Sequence, residues 1–253
     1  MVSSKLVLGS IVLATSILAM ILPVAVYTTT SLGRESLSQW VTEVALKYVG
    51  ASLAYVHIAP KLGAERATYD VKDVSAIFVA GNLVALRIAP GEDVVRVYGA
   101  SPAASRSGSE LRISVDRAFV EVELSSPKRV SARGTSMYIE ASSARLENLS
   151  IDVERSAIKL EGVEVRKSAT IVLKRSVLRG SALLGSEFEA MKIAVDDSVV
   201  KLSLRVPPGV GVKVIRRSID NCVIDVARAP CIQRCIAISI DCSNSVVRIG
   251  IER

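Results

Sequence analysis

The sequence predicts a mainly β protein: an irregular β-solenoid-like stack behind one N-terminal transmembrane helix and one amphipathic helix. Three observations carry this. Half of the 253 residues are apolar but only 4% are aromatic, so the apolar mass is Val, Ile, Leu and Ala. Branched aliphatics pack well on a pleated surface. Short alternating runs recur between Ser143 and Val206, among them Ile151-Asp152-Val153-Glu154, Ile158-Lys159-Leu160-Glu161 and Val163-Glu164-Val165-Arg166. Period-2 alternation with β-branched residues marks strands. Finally, Leu6–Tyr27 is free of charge.

That last stretch is the first element. As a helix it reaches roughly 33 Å, enough for the hydrocarbon core of a bilayer. It is longer than a secretory signal needs, and Leu22-Pro23-Val24-Ala25-Val26 is a poor cleavage site. Residues 1–33 are therefore read as a retained single-pass anchor, with a cleaved signal as the alternative. Lys5 on one side and Arg34-Glu35 on the other place the N-terminus in the cytoplasm and the remainder outside.

Residues 34–50 form the second element. Ser36 and Gln39 have capping-box spacing, and Leu37, Trp40, Val41, Val44, Ala45, Tyr48 and Val49 share a helical face ahead of Gly50. Such a helix packs on the β domain or lies on the membrane beside the anchor.

The β-rich domain spans 51–253. Strands are expected at Ala54–Ile58, through Ser75–Arg87 with a turn at Gly81-Asn82, at Val94–Tyr98, at Leu111–Val115 and at Val120–Leu124. Ala100–Glu110 is small and polar and reads as an exposed loop or linker. Ser-Ala pairs at Ser143, Ser156, Ser168 and Ser181 suggest a repeat of 12 to 13 residues over about 143–206. No Asn-Gly or Asp-Gly hairpin signal occurs, which favours parallel stacking. Against it, no polar ladder is legible at a fixed place, and an antiparallel sandwich is the alternative. Either way the terminal units need caps.

The formal net charge is +7 and the basic residues are dispersed. The pairs Lys128-Arg129, Arg166-Lys167, Lys174-Arg175 and Arg216-Arg217 read as solvated turn charges. Without interleaved aromatics, nucleic acid is not an expected partner.

Cys222, Cys231, Cys235 and Cys242 lie within 21 residues. An even, clustered set in a segment placed outside the cell reads as two disulfides. Three connectivities are open. Cys222 with Cys242 and Cys231 with Cys235 is preferred, because the second pair brackets a short turn. A zinc site would show two close pairs, so no metal is expected. The lone His57 reads as structural, which weighs against histidine-based acid–base chemistry. Asp196-Asp197 and Glu187-x-Glu189 read as a turn and a solvated face, too few oxygens for calcium. Gly209-x-Gly211 is a turn. Asn148-Leu149-Ser150 is a glycosylation sequon. No cofactor is expected.

Two passages have a strand, a proline turn and a strand: Leu86-Arg87-Ile88-Ala89-Pro90-Gly91-Glu92-Asp93-Val94-Val95-Arg96-Val97, and Leu204-Arg205-Val206-Pro207-Pro208-Gly209-Val210-Gly211-Val212-Lys213-Val214. With the Ser-Ala units between them, residues 75–253 resemble the adhesin-like β-solenoid domains of bacterial and archaeal envelopes. Relatives of that family include the C-terminal domain of membrane-bound envelope-stress regulators. The resemblance implies a non-enzymatic, envelope-exposed domain with no catalytic residues to carry over. The four cysteines and the 36–49 helix depart from it.

The function expected from all this is a membrane-anchored, non-enzymatic cell-surface module that is structural, adhesive or interactive. Its partners would be the membrane through Leu6–Tyr27 and an envelope protein or glycan. An accessory or sensor subunit of a membrane complex is the alternative. A polysaccharide-active enzyme is a weaker one, since it needs clustered acids and an aromatic groove.

Overall fold

The computed structural model describes residues 65–252, apart from 228, 229, 232 and 233. The expected anchor Leu6–Tyr27, the 34–50 helix and His57 lie outside the described residues. Within them every regular element is a strand, and all eighteen strands join one hydrogen-bonded, curled sheet.

The building block is a pair of strands meeting at a corner, here called a rung. After β1 (Glu65–Asp70), β2 (Ala76–Asn82) and β3 (Val84–Pro90) make the first rung. Then β4 (Val94–Gly99) and β5 (Ala103–Ser107) intervene. The next rungs are β6 (Glu110–Ser114) with β7 (Ala118–Leu124), and β8 (Lys128–Thr135) with β9 (Tyr138–Ser142). In the middle, β10 (Arg145–Glu154) meets the first part of β11 (Ala157–Lys174), whose second part meets β12 (Val177–Leu184). The last rungs are β13 (Ala190–Asp196) with β14 (Val199–Arg205), β15 (Val210–Asp220) with β16 (Val223–Val226), and β17 (Arg234–Ser243) with β18 (Val246–Glu252).

Rungs stack in parallel register. All pairings are parallel except β1 on β4, β4 on β7 and β5 on β6, at one end. The antiparallel sandwich is thereby corrected: only these end strands have its geometry. Alternate side chains point inward and form aliphatic columns. One column is Val79, Ala132, Ile151, Ile171, Ile193 and Ile240. Another is Ile139, Ile158, Leu178, Val200 and Val247. All are buried, each large one contributing about 1.5–3 kcal/mol. Because a column repeats one position, residues of similar size must recur there, which suits Val, Ile and Leu better than large rings.

The corner explains the repeat. One residue with positive φ joins the two strands of each rung: Leu83, Arg117, Ser136, Arg155, Arg175, Asp197, Asn221 and Asn244. A left-handed L-residue costs roughly 1–2 kcal/mol. Main-chain bonds to the neighbouring rung offset this. Ser136 N donates to Glu154 O at 2.8 Å, Arg155 N to Lys174 O at 2.9 Å, Arg175 N to Asp196 O at 2.8 Å, and Asp197 N to Ser243 O at 3.1 Å.

The residue after the corner is a serine in four rungs: Ser156, Ser176, Ser198 and Ser245, all buried. Each hydroxyl accepts from the main chain of the previous rung. The donors are Met137 N, Ser156 N, Ser176 N and Ser198 N, at 2.9, 3.0, 3.0 and 2.9 Å. Each hydroxyl in turn donates to the carbonyl two residues back. This corrects two expectations. A polar ladder does recur at a fixed place, and its steps are 19, 20, 22 and 47 residues rather than 12 to 13. Of the Ser-Ala pairs, those at Ser143 and Ser156 sit at bends, whereas Ser168 and Ser181 lie inside strands.

Ser176→Ala is expected to lose about 1–3 kcal/mol, because it strands the buried Ser156 N–H. Urea denaturation compared with the exposed Ser105→Ala checks this. Equal midpoints for the two variants would show that the ladder contributes nothing.

The steps also reveal that the rungs do not stack in chain order. The β2–β3 rung lies between β6–β7 and β8–β9, and the β17–β18 rung lies between β13–β14 and β15–β16. Among the described residues the final rung in space is therefore β15–β16, which pairs only with β17–β18. Its Ile215, Ile219 and Val223 are exposed, while Lys213, Arg216 and Arg217 blunt the open edge. Ala100–Glu110, expected as a loop, contains β5, a fully exposed strand in a hairpin with β6.

Candidate ligand-binding faces

The cysteines meet at the exposed end of the stack. Cys222 is joined to Cys242 and Cys231 to Cys235, with Cα–Cα distances of 6.2 and 5.3 Å. Cys222 follows the corner residue Asn221 and so occupies the position that serines hold in other rungs. Its bond ties the outermost rung to β17. Among the described residues, no group of three His, Cys, Asp or Glu side chains comes together that could hold a metal ion.

Asn148 lies half-buried in β10, where its Nδ2 donates to Ser168 Oγ at 2.7 Å. Asp197 is a corner residue, and the Asp196 carbonyl accepts from Ser198 Oγ. Glu187 and Glu189 are exposed on the connection into β13. Asp196 lines an open groove with Asp220 and Asp241, but among the described residues no such group could hold a metal ion.

Among the described residues one charge pair is buried, contrary to the expectation that Lys128-Arg129 is solvated. Lys128 Nζ lies 3.4 Å from Asp93 Oδ1 and donates to Lys72 O at 3.4 Å. Asp93 also accepts from Ser125 N at 3.1 Å and from the Ser125 hydroxyl. Burial pushes the Asp93 pKa up, but the Ser125 donors and the Lys128 charge outweigh it and hold the pKa below the ordinary value. The pair closes the end where β4 and β7 run antiparallel, and its role is structural.

Several open grooves cross the outer faces, and two of them gather cations from more than one strand. The larger, about 690 Å³, lies under the β5–β6 hairpin and includes Phe78, Arg112, Arg133 and Asp152. Its cations are already engaged. Arg112 sits 5.1 Å over the Phe78 ring and 3.2 Å from Glu110, and Arg133 is 3.3 Å from Asp152.

The smaller groove, about 570 Å³, crosses β11, β12, β14 and β18. One register column runs through it: Glu121, Arg87, Glu140, Lys159, Arg179, Lys201, Arg248 and Asp225. In its first half opposite charges alternate and pair. Arg87 reaches Glu121 at 3.3 Å, and Lys159 reaches Glu140 at 3.3 Å and Glu161 at 2.7 Å. These bonds, led by that to Glu161, raise the Lys159 pKa. The alternation then stops.

Sequence reading missed this column. The signal was present as a tetrad, Ser-(Ala/Val)-aliphatic-(Lys/Arg), at Ser156–Lys159, Ser176–Arg179, Ser198–Lys201 and Ser245–Arg248.

No protein-family model matches the chain, and no curated protein does. A crystal structure from Clostridium sporogenes, described as a "putative cell adhesion protein", aligns with a TM-score of 0.39 and 8% identity over 75% of this chain and 100% of that one. A likeness of that size carries no argument about this chain.

Proposed function

We propose that this chain is a membrane-anchored, non-enzymatic display module: a β-solenoid-like stack held outside the cell by Leu6–Tyr27 that acts by surface contact. The observation that carries the reading is the outer surface of the stack. Register columns place side chains of one kind in rows across successive strands, about 4.8 Å apart. Such rows suit recognition of a repetitive surface. Clustered disulfides at the exposed end support an oxidising compartment. Among the described residues no helix is long and apolar enough to cross a membrane, so the anchoring rests on Leu6–Tyr27.

The test is protease treatment of intact cells that express the full chain. The β domain is expected to be cleaved without permeabilisation, while an N-terminal tag stays protected, and the purified chain is expected to bind whole cells. Protection of the β domain in intact cells would place it inside and end the proposal.

A further inference from the structure

Arg179, Lys201 and Arg248 are direct neighbours across β12, β14 and β18. Like charges placed opposite each other destabilise a sheet, and the first half of the same column avoids this by alternating. None of the three makes an ion pair among the described residues, although Asp225 follows Arg248 in the register. Arg179 and Lys201 are exposed and Arg248 is half-buried. The row is thus a cationic strip without internal compensation, roughly 10 Å long at the strand spacing.

Its flanks have a definite chemistry. On one side run Val177, Val199 and Val246, half-buried aliphatics in the same register. On the other lie Ser181, Ser203 and Gly250, a strip small enough for a ring to approach the backbone.

We propose that Arg179, Lys201 and Arg248 form a binding row for a linear acidic polysaccharide carrying a carboxylate or sulfate on each sugar. In an extended pyranose chain successive sugars flip, so the anions on one side recur every second sugar, about 10 Å apart, close to the two strand spacings between Arg179 and Arg248, with Lys201 between them. The C–H faces of the sugars lie on the valines, and their hydroxyls face the serine strip, where Ser181 Oγ already accepts from Gly162 N at 3.1 Å and Ser203 Oγ donates to Glu252 at 2.5 Å. An extended acidic peptide fits worse, because its same-side residues repeat every 6.6 Å or so against about 4.8 Å between strands. A nucleic acid would meet no aromatic platform in the groove. The proposal deepens the display reading above and rests on it for the compartment where such polymers occur.

The test uses the full chain in neutral detergent. Probes are oligogalacturonate and heparin fragments, with dextran, polyglutamate, oligothymidylate and anionic vesicles as comparisons. Oligogalacturonate or heparin is expected to bind, more weakly as salt rises, and dextran is not. Arg179→Gln/Lys201→Gln/Arg248→Gln is expected to weaken binding at least tenfold while the melting temperature does not fall, since opposed like charges are removed. The charge-matched Lys192→Gln/Lys213→Gln/Arg216→Gln should change it less than twofold. Equal losses in both triple variants, or tighter binding of polyglutamate, oligothymidylate or vesicles through the same row, would overturn the proposal. Whole-cell binding that ignores the first triple variant would sink this site and leave the display reading standing. Glycan binding by a chain that intact cells protect from protease would do the reverse.

Discussion

Asp93→Asn is expected to destabilise the β domain by about 3–5 kcal/mol at neutral pH, because it leaves the Lys128 ammonium buried without its counter-charge. Asparagine is the clean substitution, since Asp93 has a φ of +59° and asparagine tolerates the left-handed region. The side chains of Lys128 and Asp93 are only 4% and 8% exposed, so water cannot replace the lost partner. Removing both charges, as in Asp93→Asn/Lys128→Met, should restore most of the loss, because a buried pair is often no better than a packed apolar replacement.

The pH dependence follows from the lowered Asp93 pKa. A carboxylate more acidic when folded contributes stability that is fully present above its unfolded value, about 3.9. That contribution is lost as pH falls through the folded value. The wild-type chain should therefore lose its advantage over Asp93→Asn below about pH 4. Urea titrations of the three proteins at neutral and acid pH decide this. A cost under about 1 kcal/mol at neutral pH, or a gap that does not change with pH, would refute the buried-pair account.

This pair also shows where sequence reading stops. Lys128 follows Pro127 and precedes Arg129, a context that reads as a turn in water. Its partner is 35 positions upstream, brought close because β4 folds back antiparallel onto β7. Strand content, by contrast, was legible. The run Ile151–Glu154 lies in β10, and Ile158–Glu161 and Val163–Arg166 lie in the single long β11, which bends at Gly162, where φ is +62°. Alternation records burial of one face, and one face of each of these strands is buried. Ala103–Ser107 gave no such signal because all five residues of β5 are exposed, so neither face is buried.

The true repeat was harder to see. The Ser-Ala dipeptide is frequent enough to recur by composition at near-regular spacing, and one genuine ladder serine, Ser156, fell within that false series. The serine ladder depends on a hydroxyl after a left-handed residue. That pattern becomes visible only when Arg155, Arg175, Asp197 and Asn244 are aligned despite their unlike side chains. The swapped order of the end rungs leaves no local trace, since each rung carries the same corner and the same aliphatic columns wherever it stacks.

That swap sets the consequence of losing Cys222–Cys242. Because β15–β16 is the outermost of the described rungs, its pairings among the described residues are with β17 and β18, and several of its side chains face water. The bond closes a separation of 20 residues, for which constraint of the unfolded chain contributes about 3 kcal/mol. That energy acts on the outer rung rather than on the whole stack. The double variant Cys222→Ser/Cys242→Ser is therefore expected to speed amide exchange in β15 and β16 about a hundredfold. The amides of β8 to β13 should keep their rates, and the melting temperature should move only a little. Cys231→Ser/Cys235→Ser, which opens a separation of only 4 residues, should have a much smaller effect. Hydrogen exchange read by mass spectrometry separates the outcomes. Acceleration spread evenly over the stack would mean that the end rung is no independent unit, and unchanged exchange in β15 and β16 would mean that the bond does not pin it.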